Sequence, residues 1–373
     1  MRRFLECLIP NSTCNLECSY CYLIQQGRRK QDPGHYNYPP ETIGKALSKE
    51  RLGGTALISM TAQGETLLSK ELPQITKEIL KQGHFVNITT NGTISNRFDV
   101  LLNETEGYHN HLHFSFSFHY IELKKRNLLE TFFKNICKVR EAGCSILLQI
   151  NLVDEYIPYW EDIKKLSLEH VGALPQVALT RDESNNTFTP MTKLPFEEYK
   201  RIGREMNSPL FEFTCKNFMV ERKEFCYAGY WSATLDMASG ILTGCYGNGF
   251  KYNIFEKTKE PIPFHPIGRN CHCKYCINSS HFLSQGCIPS LLPLPSYGQL
   301  RNREDAHWYS QEMRDFLYKQ FEDVNPPIKF IQKTEFEIAS FFAHIPFLFR
   351  KFIFKLHVKD ALKRLIKKFH ELH

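Results

Sequence analysis

From residue 4 to about 182, short β-branched or aromatic runs alternate with longer amphipathic ones. That alternation is the pattern of βα units, in which each strand feeds a helix that carries the chain back to the next strand, and it selects a parallel sheet. The expected strands are Phe4–Ile9, Thr55–Met60, Phe85–Thr89, Leu112–Phe118, Ser145–Leu152 and Gln176–Thr180. Three of the amphipathic runs stop at Gly83, Gly143 and Gly172, each just ahead of a strand. Glycine enters the left-handed region without steric cost, so each marks a helix stop with a physical cause. Six such units predict an α/β fold, a partial (β/α)6 TIM-like barrel. In such a barrel chemistry gathers at the C-terminal ends of the strands, where this sequence places Glu65, Asn91, His119, Asn151 and Arg181.

After Glu183 the composition changes. Asp182-Glu183-Ser184-Asn185-Asn186 reads as a loop, residues 206–290 are rich in cysteine, glycine and aromatics with little helical periodicity, and Pro289 to Pro295 reads as a linker. The expected domains are therefore 1–205, a core barrel; 206–290, a small unit held by metal; and 291–373, a basic, amphipathic helical extension. The N-terminus meets Glu6 too early for a secretory signal, and no stretch offers eighteen charge-free apolar residues, which predicts a cytoplasmic protein. In a reducing compartment thirteen cysteines point to metal or redox chemistry rather than disulfides.

The most informative cysteines are Cys14, Cys18 and Cys21, directly after the first strand. Three thiolates at this spacing can wrap one loop around three irons of a cubane and leave the fourth without a protein ligand. Zinc is the competing reading, but a structural zinc site takes four ligands, usually as two separated pairs, and no nearby fourth cysteine or histidine has that spacing.

Cys14-x-x-x-Cys18-x-x-Cys21, with Tyr20 before the last cysteine, resembles the signature of the radical S-adenosylmethionine (radical SAM) superfamily. The resemblance implies a partial (β/α) barrel, a 4Fe-4S cluster whose open iron binds S-adenosylmethionine, and reductive cleavage to a 5′-deoxyadenosyl radical that takes a hydrogen atom from substrate. It also implies an electron donor such as flavodoxin or ferredoxin. Gln63-Gly64-Glu65 resembles the family's Gly-Gly-Glu motif, with Gln63 in place of the first glycine, and assigns Gly64 and Glu65 to the cofactor's ammonium. Thr90-Asn91-Gly92-Thr93 resembles its Thr-Asn-Gly turn; Tyr20, Asn91, Ser117, Gln149 and Asn151 complete the expected cofactor contacts, with Ser115 a neighbouring candidate.

A second set follows: Cys226, then Gly240 and Cys245, then Cys271-His-Cys273-Lys-Tyr-Cys276, with Cys287 beyond. By residue chemistry alone, four of these thiolates fit either zinc or a closed iron-sulfur cluster. The order Cys226, Gly240, Cys245 resembles the SPASM/Twitch auxiliary-cluster domain. The Twitch form implies one auxiliary 4Fe-4S cluster on Cys226, Cys245, Cys273 and Cys276, with Cys271 an alternative to Cys273. Cys7, Cys137, Cys144 and Cys215 read as buried small hydrophobes.

In the tail, Leu362, Leu365, Ile366 and Phe369 follow helical spacing opposite lysines. Such a helix can cap the barrel, lie peripherally on an anionic membrane or bind an acidic partner. The leading function is an oxidoreductase or maturase acting on a peptide or small metabolite. Alternatives are a redox-neutral epimerase, with Cys271 or Cys287 returning a hydrogen atom, and a non-catalytic zinc or iron-sulfur scaffold. No nucleic-acid motif is present. Glu183, Arg181, Tyr227 and His119 are candidates to face substrate, with no catalytic residue singled out.

Overall fold

The computed structural model describes residues 1–184, 188–246, 248–269, 271 and 273–320, with isolated positions up to Ile338. Asn185 and Asn186 of the expected loop, and the basic stretch from Lys359 to Phe369, lie outside the described residues.

Among the described residues, nine strands form one sheet: β1 (Arg3–Ile9), β2 (Ala56–Ala62), β3 (Phe85–Thr90), β4 (Leu112–Ser117), β5 (Ser145–Leu152), β6 (Gln176–Leu179), β7 (Ser232–Asp236), β8 (Ile241–Cys245) and β9 (Asn248–Asn253). Their order is β6-β5-β4-β3-β2-β1-β7-β8-β9. β1 to β6 are parallel and successive, joined by helices that include Leu72–Lys81, Ser95–Glu104, Leu129–Glu141 and Trp160–Val171. This is the expected α/β, partial TIM-like arrangement. Gly83, Gly143 and Gly172 all carry the left-handed φ that ends the preceding helix.

The two faces of the sheet differ in chemistry. On β4, Phe114 and Phe116 are fully buried and meet Phe98 and Phe132 of the covering helices at ring-centroid distances of 5.6, 5.7 and 5.9 Å. Strand alternation therefore turns His113, Ser115 and Ser117 into the barrel. Register carries the same phase across the sheet, from Glu6 to Ser59, from Ser59 to Asn87 and from Asn87 to His113. Hydrogen bonds confirm the shared face: Asn87 Nδ2 donates to Ser59 Oγ at 2.9 Å, and Asn87 Oδ1 accepts from Ser115 Oγ at 2.8 Å. The apolar face glues helices to sheet, while the inner face is a polar lumen.

β7 was not expected. The cysteine-rich segment inserts it beside β1 in parallel register, and β8 and β9 follow as antiparallel neighbours. The helix Pro209–Asn217 packs against β6, where Ser208 Oγ accepts from Val177 N at 2.9 Å. At the opposite end of the strands, residues after the linker return to close the barrel's N-terminal side. Phe316 stacks on Phe85 at 4.6 Å, Tyr309 meets His113 edge-on at 5.0 Å, and Tyr297 packs on Phe4 at 5.4 Å. No helix among the described residues is long and apolar enough to cross a membrane.

His84 locks the entry to β2 and β3. Its Nδ1 accepts from Ala56 N at 3.0 Å and its Nε2 donates to Leu47 O at 2.6 Å, a pairing that only the neutral ring can make. Burial pushes its pKa down to about 4, against the opposing pull of the Leu47 carbonyl. The unfolded chain therefore takes up this proton first. The His84 contribution is complete above the ordinary histidine pKa and is lost as pH falls towards about 4, by up to about 1.4 kcal/mol per pH unit. Urea denaturation of wild type and His84→Asn between pH 7 and 5 should show the steeper loss in wild type; parallel slopes would remove His84 from the acid response.

Candidate functional site

The loop leaving β1 carries Cys14, Cys18 and Cys21, and its shape is fixed by backbone contacts to the loop after β2. Gly64 N donates to Asn11 O at 2.9 Å, Glu65 N donates to Thr13 O at 2.8 Å, and Asn11 Nδ2 donates back to Glu65 O at 2.7 Å. Arg29 ties the cysteine loop from the other side, donating to Cys14 O at 3.0 Å and Leu16 O at 2.7 Å. Cys21 N donates to Cys18 O at 3.0 Å, which turns the chain into the short helix Tyr22–Gln25. Cys18 is buried, whereas Cys14 and Cys21 are partly exposed.

Burial pushes the Cys18 thiol up to about 12, with the Cys14 and Cys21 sulfurs close enough to add to the rise, and burial likewise raises Cys14. Free of metal, Cys14 and Cys18 hold their protons, so loading a cluster there releases them. Three sulfurs on one loop, with no fourth cysteine supplied by that loop, suit a cubane that keeps one iron open. Among the described residues, no three His, Cys, Asp or Glu side chains close on a point in the manner of a lone metal ion.

Glu65 is 2% exposed, and its carboxylate accepts from Thr90 Oγ1 at 2.6 Å, Asn91 N at 2.7 Å and Leu67 N at 3.0 Å. Burial raises its pKa, opposed first by Thr90 and then by the two amides. Asn91 in turn donates through Nδ2 to Asn15 Oδ1 at 2.8 Å, and this nitrogen lies 4.0 Å from Cys14 Sγ. The loops after β1, β2 and β3 thus form one hydrogen-bonded body beside Cys14. Tyr20 Oη bonds His119 Nδ1 at 2.6 Å and Tyr156 Oη at 3.0 Å. Burial lowers the His119 pKa to about 4, keeping that ring neutral.

Ser117, Gln149 and Asn151 are partly exposed on the inner face of β4 and β5, Ser117 opposite Gln149. Arg181 and Glu183 pair with each other at 3.1 Å after β6. Tyr227 is anchored by its own amide, which donates to Cys287 O at 2.7 Å.

Sequence reading missed the centre of the lumen. Glu6 entered it only as an interruption of an apolar run, yet Asn278 Nδ2 donates to Glu6 Oε2 at 2.9 Å, His281 Nδ1 lies 3.6 Å from Oε1, and Tyr246 donates as well. Burial raises the Glu6 pKa, with Tyr246 and Asn278 opposing. Leu8, one turn of the pleat above it, is 41% exposed on the same face. A carboxylate inside the otherwise apolar run Phe4–Ile9 was the available signal.

In the cysteine-rich unit, Cys226 precedes β7 and Cys245 ends β8. Gly240 turns the hairpin between these strands at φ +74, where a Cβ would stand 2.6 Å from Phe255. Cys226, Cys245, Cys273 and Cys276 are all partly exposed, Cys271 is exposed and Cys287 is buried.

Gly64 has the tightest requirement in the site: a Cβ there would stand 2.0 Å from Thr13 O, inside the backbone that carries Cys14. Gly64→Ala should destabilise the apoprotein by about 1–3 kcal/mol, as overpacking against backbone does. Iron bound through Cys14, Cys18 and Cys21 should fall with it. Wild-type denaturation and iron content in this variant would show that the two loops do not need this contact.

Residues 8–166 match the family model of the radical SAM superfamily. Among solved structures, the chain resembles SuiB of Streptococcus suis bound to S-adenosylmethionine at 16% identity, covering 69% of this chain and 64% of that one with a TM-score of 0.44. It also resembles polyhistidine-tagged anSMEcpe with bound AdoMet (12% identity, 69% and 76% covered, TM-score 0.48) and BtrN in complex with AdoMet and 2-DOIA (15% identity, 87% and 90% covered, TM-score 0.31). The matched part of the chain thus spans about 64% of the length of SuiB. No curated protein matches the chain. Cys14, Cys18 and Cys21 lie inside the matched span, on the loop that leaves the first strand of a parallel βα sheet, so over residues 8–166 the chain is similar to the radical SAM superfamily.

Proposed function

We propose that the protein binds S-adenosylmethionine at the mouth of the barrel and uses it to remove a hydrogen atom from a peptide or small metabolite held in the polar lumen. The observation that carries this reading is the single hydrogen-bonded body made by the Cys14–Cys21 loop, Gly64-Glu65 and Thr90-Asn91, standing over that lumen. A 4Fe-4S cluster on Cys14, Cys18 and Cys21 would bind the cofactor through its open iron and supply the electron that cleaves it to a 5′-deoxyadenosyl radical.

The chain's own residues do the positioning. Glu65 holds the turn at Asn91 through its carboxylate, which leaves the loop's backbone to receive the cofactor's ammonium. Tyr20, Ser117, Gln149 and Asn151 line the cofactor's path, and the neutral Tyr20–His119–Tyr156 group supports it without adding charge. Below it, Glu6 with Asn278, Tyr246 and His281 offers a proton acceptor to a substrate losing a hydrogen atom. An auxiliary 4Fe-4S cluster in the Cys226–Cys287 region would take the second electron of an oxidation, as in Twitch-type enzymes. A flavodoxin or ferredoxin is the proposed electron donor, and the cytoplasm the proposed compartment. SuiB has been crystallised with the precursor peptide SuiA, and anSMEcpe with bound peptides; a peptide is the first substrate class to test.

Anaerobically reconstituted protein should carry about eight irons, four for each of two cubanes. Under a strong reductant it should convert S-adenosylmethionine to methionine and 5′-deoxyadenosine. Replacing Cys14, Cys18 and Cys21 together by alanine should remove roughly half of the iron and all 5′-deoxyadenosine. No 5′-deoxyadenosine from protein with verified clusters would leave a scaffold. A substrate product with an inverted centre carrying solvent deuterium, in place of one lighter by two hydrogens, would identify an epimerase.

The spacing of Leu362, Leu365, Ile366 and Phe369 among lysines favours a second, separate reading, in which the tail attaches peripherally to an anionic membrane. The full chain should co-sediment with vesicles rich in phosphatidylserine and detach as salt screens the lysines, whereas a chain ending at Phe336 should stay in solution. Equal behaviour of the two would assign the tail elsewhere.

A further inference from the structure

His119 continues the inner face of β4 to the mouth of the barrel. Phe114, Phe116 and Phe118 turn outward; Phe118 stacks on Phe132 at 5.3 Å, while its amide still donates to Gln149 O at 2.7 Å. Alternation therefore sets His119 on the face of Ser115 and Ser117. Its ring lies beside that of Tyr20, the residue before Cys21, with centroids 5.9 Å apart and planes at 29°. The cysteine loop and the rim of β4 meet at these two rings.

The protons of this group can be counted. Tyr20 Oη bonds His119 Nδ1 at 2.6 Å and Tyr156 Oη at 3.0 Å. Tyr156 is 1% exposed, and among the described residues Tyr20 Oη is the acceptor that its hydroxyl reaches. A buried hydroxyl proton without an acceptor is costly, so Tyr156 donates to Tyr20. The Tyr20 proton then goes to His119 Nδ1, which must be bare to receive it. The Cys18 sulfur is the other acceptor beside the Tyr20 hydroxyl, and sulfur accepts weakly compared with an imidazole nitrogen at 2.6 Å. A protonated ring would bring a third proton to two contacts and strand one of them. The ring is therefore neutral and carries its proton on Nε2. Among the described residues nothing accepts from that nitrogen, and it is not fully enclosed.

We propose that His119 is a fixed hydrogen-bond donor to an oxygen of S-adenosylmethionine, with Tyr20 and Tyr156 as positioning residues that act through the tautomer they impose. The assignment rests on the cofactor reading given above. The donor stands beside the cysteine loop, where a cofactor bound through the open iron must sit, and away from the lumen floor around Glu6. An N–H that cannot turn into an acceptor suits a carboxylate or ribose oxygen and disfavours the sulfonium and ammonium ends, so it also sets which way round the cofactor lies.

The test uses full-length protein, anaerobically reconstituted and kept without reductant, so that S-adenosylmethionine binds and is not consumed. Solid-state nitrogen-15 spectra of histidine-labelled protein, with the His119→Gln spectrum subtracted, should show His119 bare at Nδ1 and protonated at Nε2. The Nε2 signal should move when S-adenosylmethionine is added. A like movement with methionine alone identifies the carboxylate as the acceptor, and with 5′-deoxyadenosine alone the ribose. By equilibrium dialysis, His119→Phe and His119→Asn should bind S-adenosylmethionine about three- to tenfold more weakly, the loss of one neutral hydrogen bond. His119→Gln, whose amide nitrogen falls near the place of Nε2, should stay within about twofold of wild type. Tyr156→Phe removes the proton that fixes the direction, and should add a second His119 signal protonated at Nδ1. Equal iron in all variants checks that the cysteine loop is intact. Wild-type His119 protonated at Nδ1, an Nε2 signal unmoved by bound S-adenosylmethionine, or wild-type affinity in His119→Phe overturns the donor assignment while leaving the cofactor reading in place. Wild-type protein with verified clusters that binds no S-adenosylmethionine refutes the cofactor reading, and the donor assignment falls with it.

Discussion

The contact on which the rest depends is the backbone clasp between the cysteine loop and Gly64-Glu65. Two amides and one side-chain amide join the loops after β1 and β2, and the Glu65 carboxylate extends the clasp to Thr90 and Asn91 after β3. Each bond is short and buried or half-buried, where an unmet partner would cost about 1–3 kcal/mol. That penalty keeps three loops from three strands in one arrangement. Loops of this length would otherwise sample many conformations, and the spacing of three cysteines would mean little. Here the spacing in sequence becomes a spacing in space because Gly64 lets two backbones touch.

The polar lumen and the phenylalanine-rich exterior are two halves of one economy of the sheet. Phe98, Phe114, Phe116 and Phe132 supply a continuous aromatic layer between sheet and helices, which stabilises the barrel without help from its interior. The inner face is then free to carry Glu6, Ser59, Asn87, His113 and Ser115, groups that serve poorly as hydrophobic core: Asn87 bonds Ser59, His113 and Ser115, Glu6 bonds Asn278, and His113 Nε2 is buried without a hydrogen-bond partner among the described residues. The residues from Tyr297 to Leu317 close the far end of this space with Tyr297, Trp308, Tyr309 and Phe316.

Much of this was legible in the sequence because its causes are local. The six parallel strands lie within a residue or two of the expected ones, and Gly83, Gly143 and Gly172 stop helices for a reason that involves only their own backbone. What escaped has non-local causes. Ser232–Asp236 is short and only partly apolar, and it becomes a strand because β1 offers it an unpaired edge more than 200 residues earlier in the chain. Glu6 looked like an interruption because the lumen that accommodates it is built by Asn278, Tyr246 and His281 from the far end of the chain. Cys287 sits at no recognisable interval from Cys276, and only the fold brings its carbonyl to the amide of Tyr227, the residue after Cys226. The cofactor contacts expected at Ser117, Gln149 and Asn151 lie on the inner face at the mouth, a placement that strand alternation already implied.

The pairing of β7 with β1 fixes how far apart the two cysteine sets stand. The strand that launches Cys14 lies beside the strand that Cys226 precedes, and neighbouring strands stand about 4.8 Å apart. The two cysteine sets are therefore mounted on one continuous sheet with no hinge between their supporting strands. The separation between the two sets is thereby built into the ladder of main-chain hydrogen bonds, and altering it would mean breaking the pairing of β1 with β7.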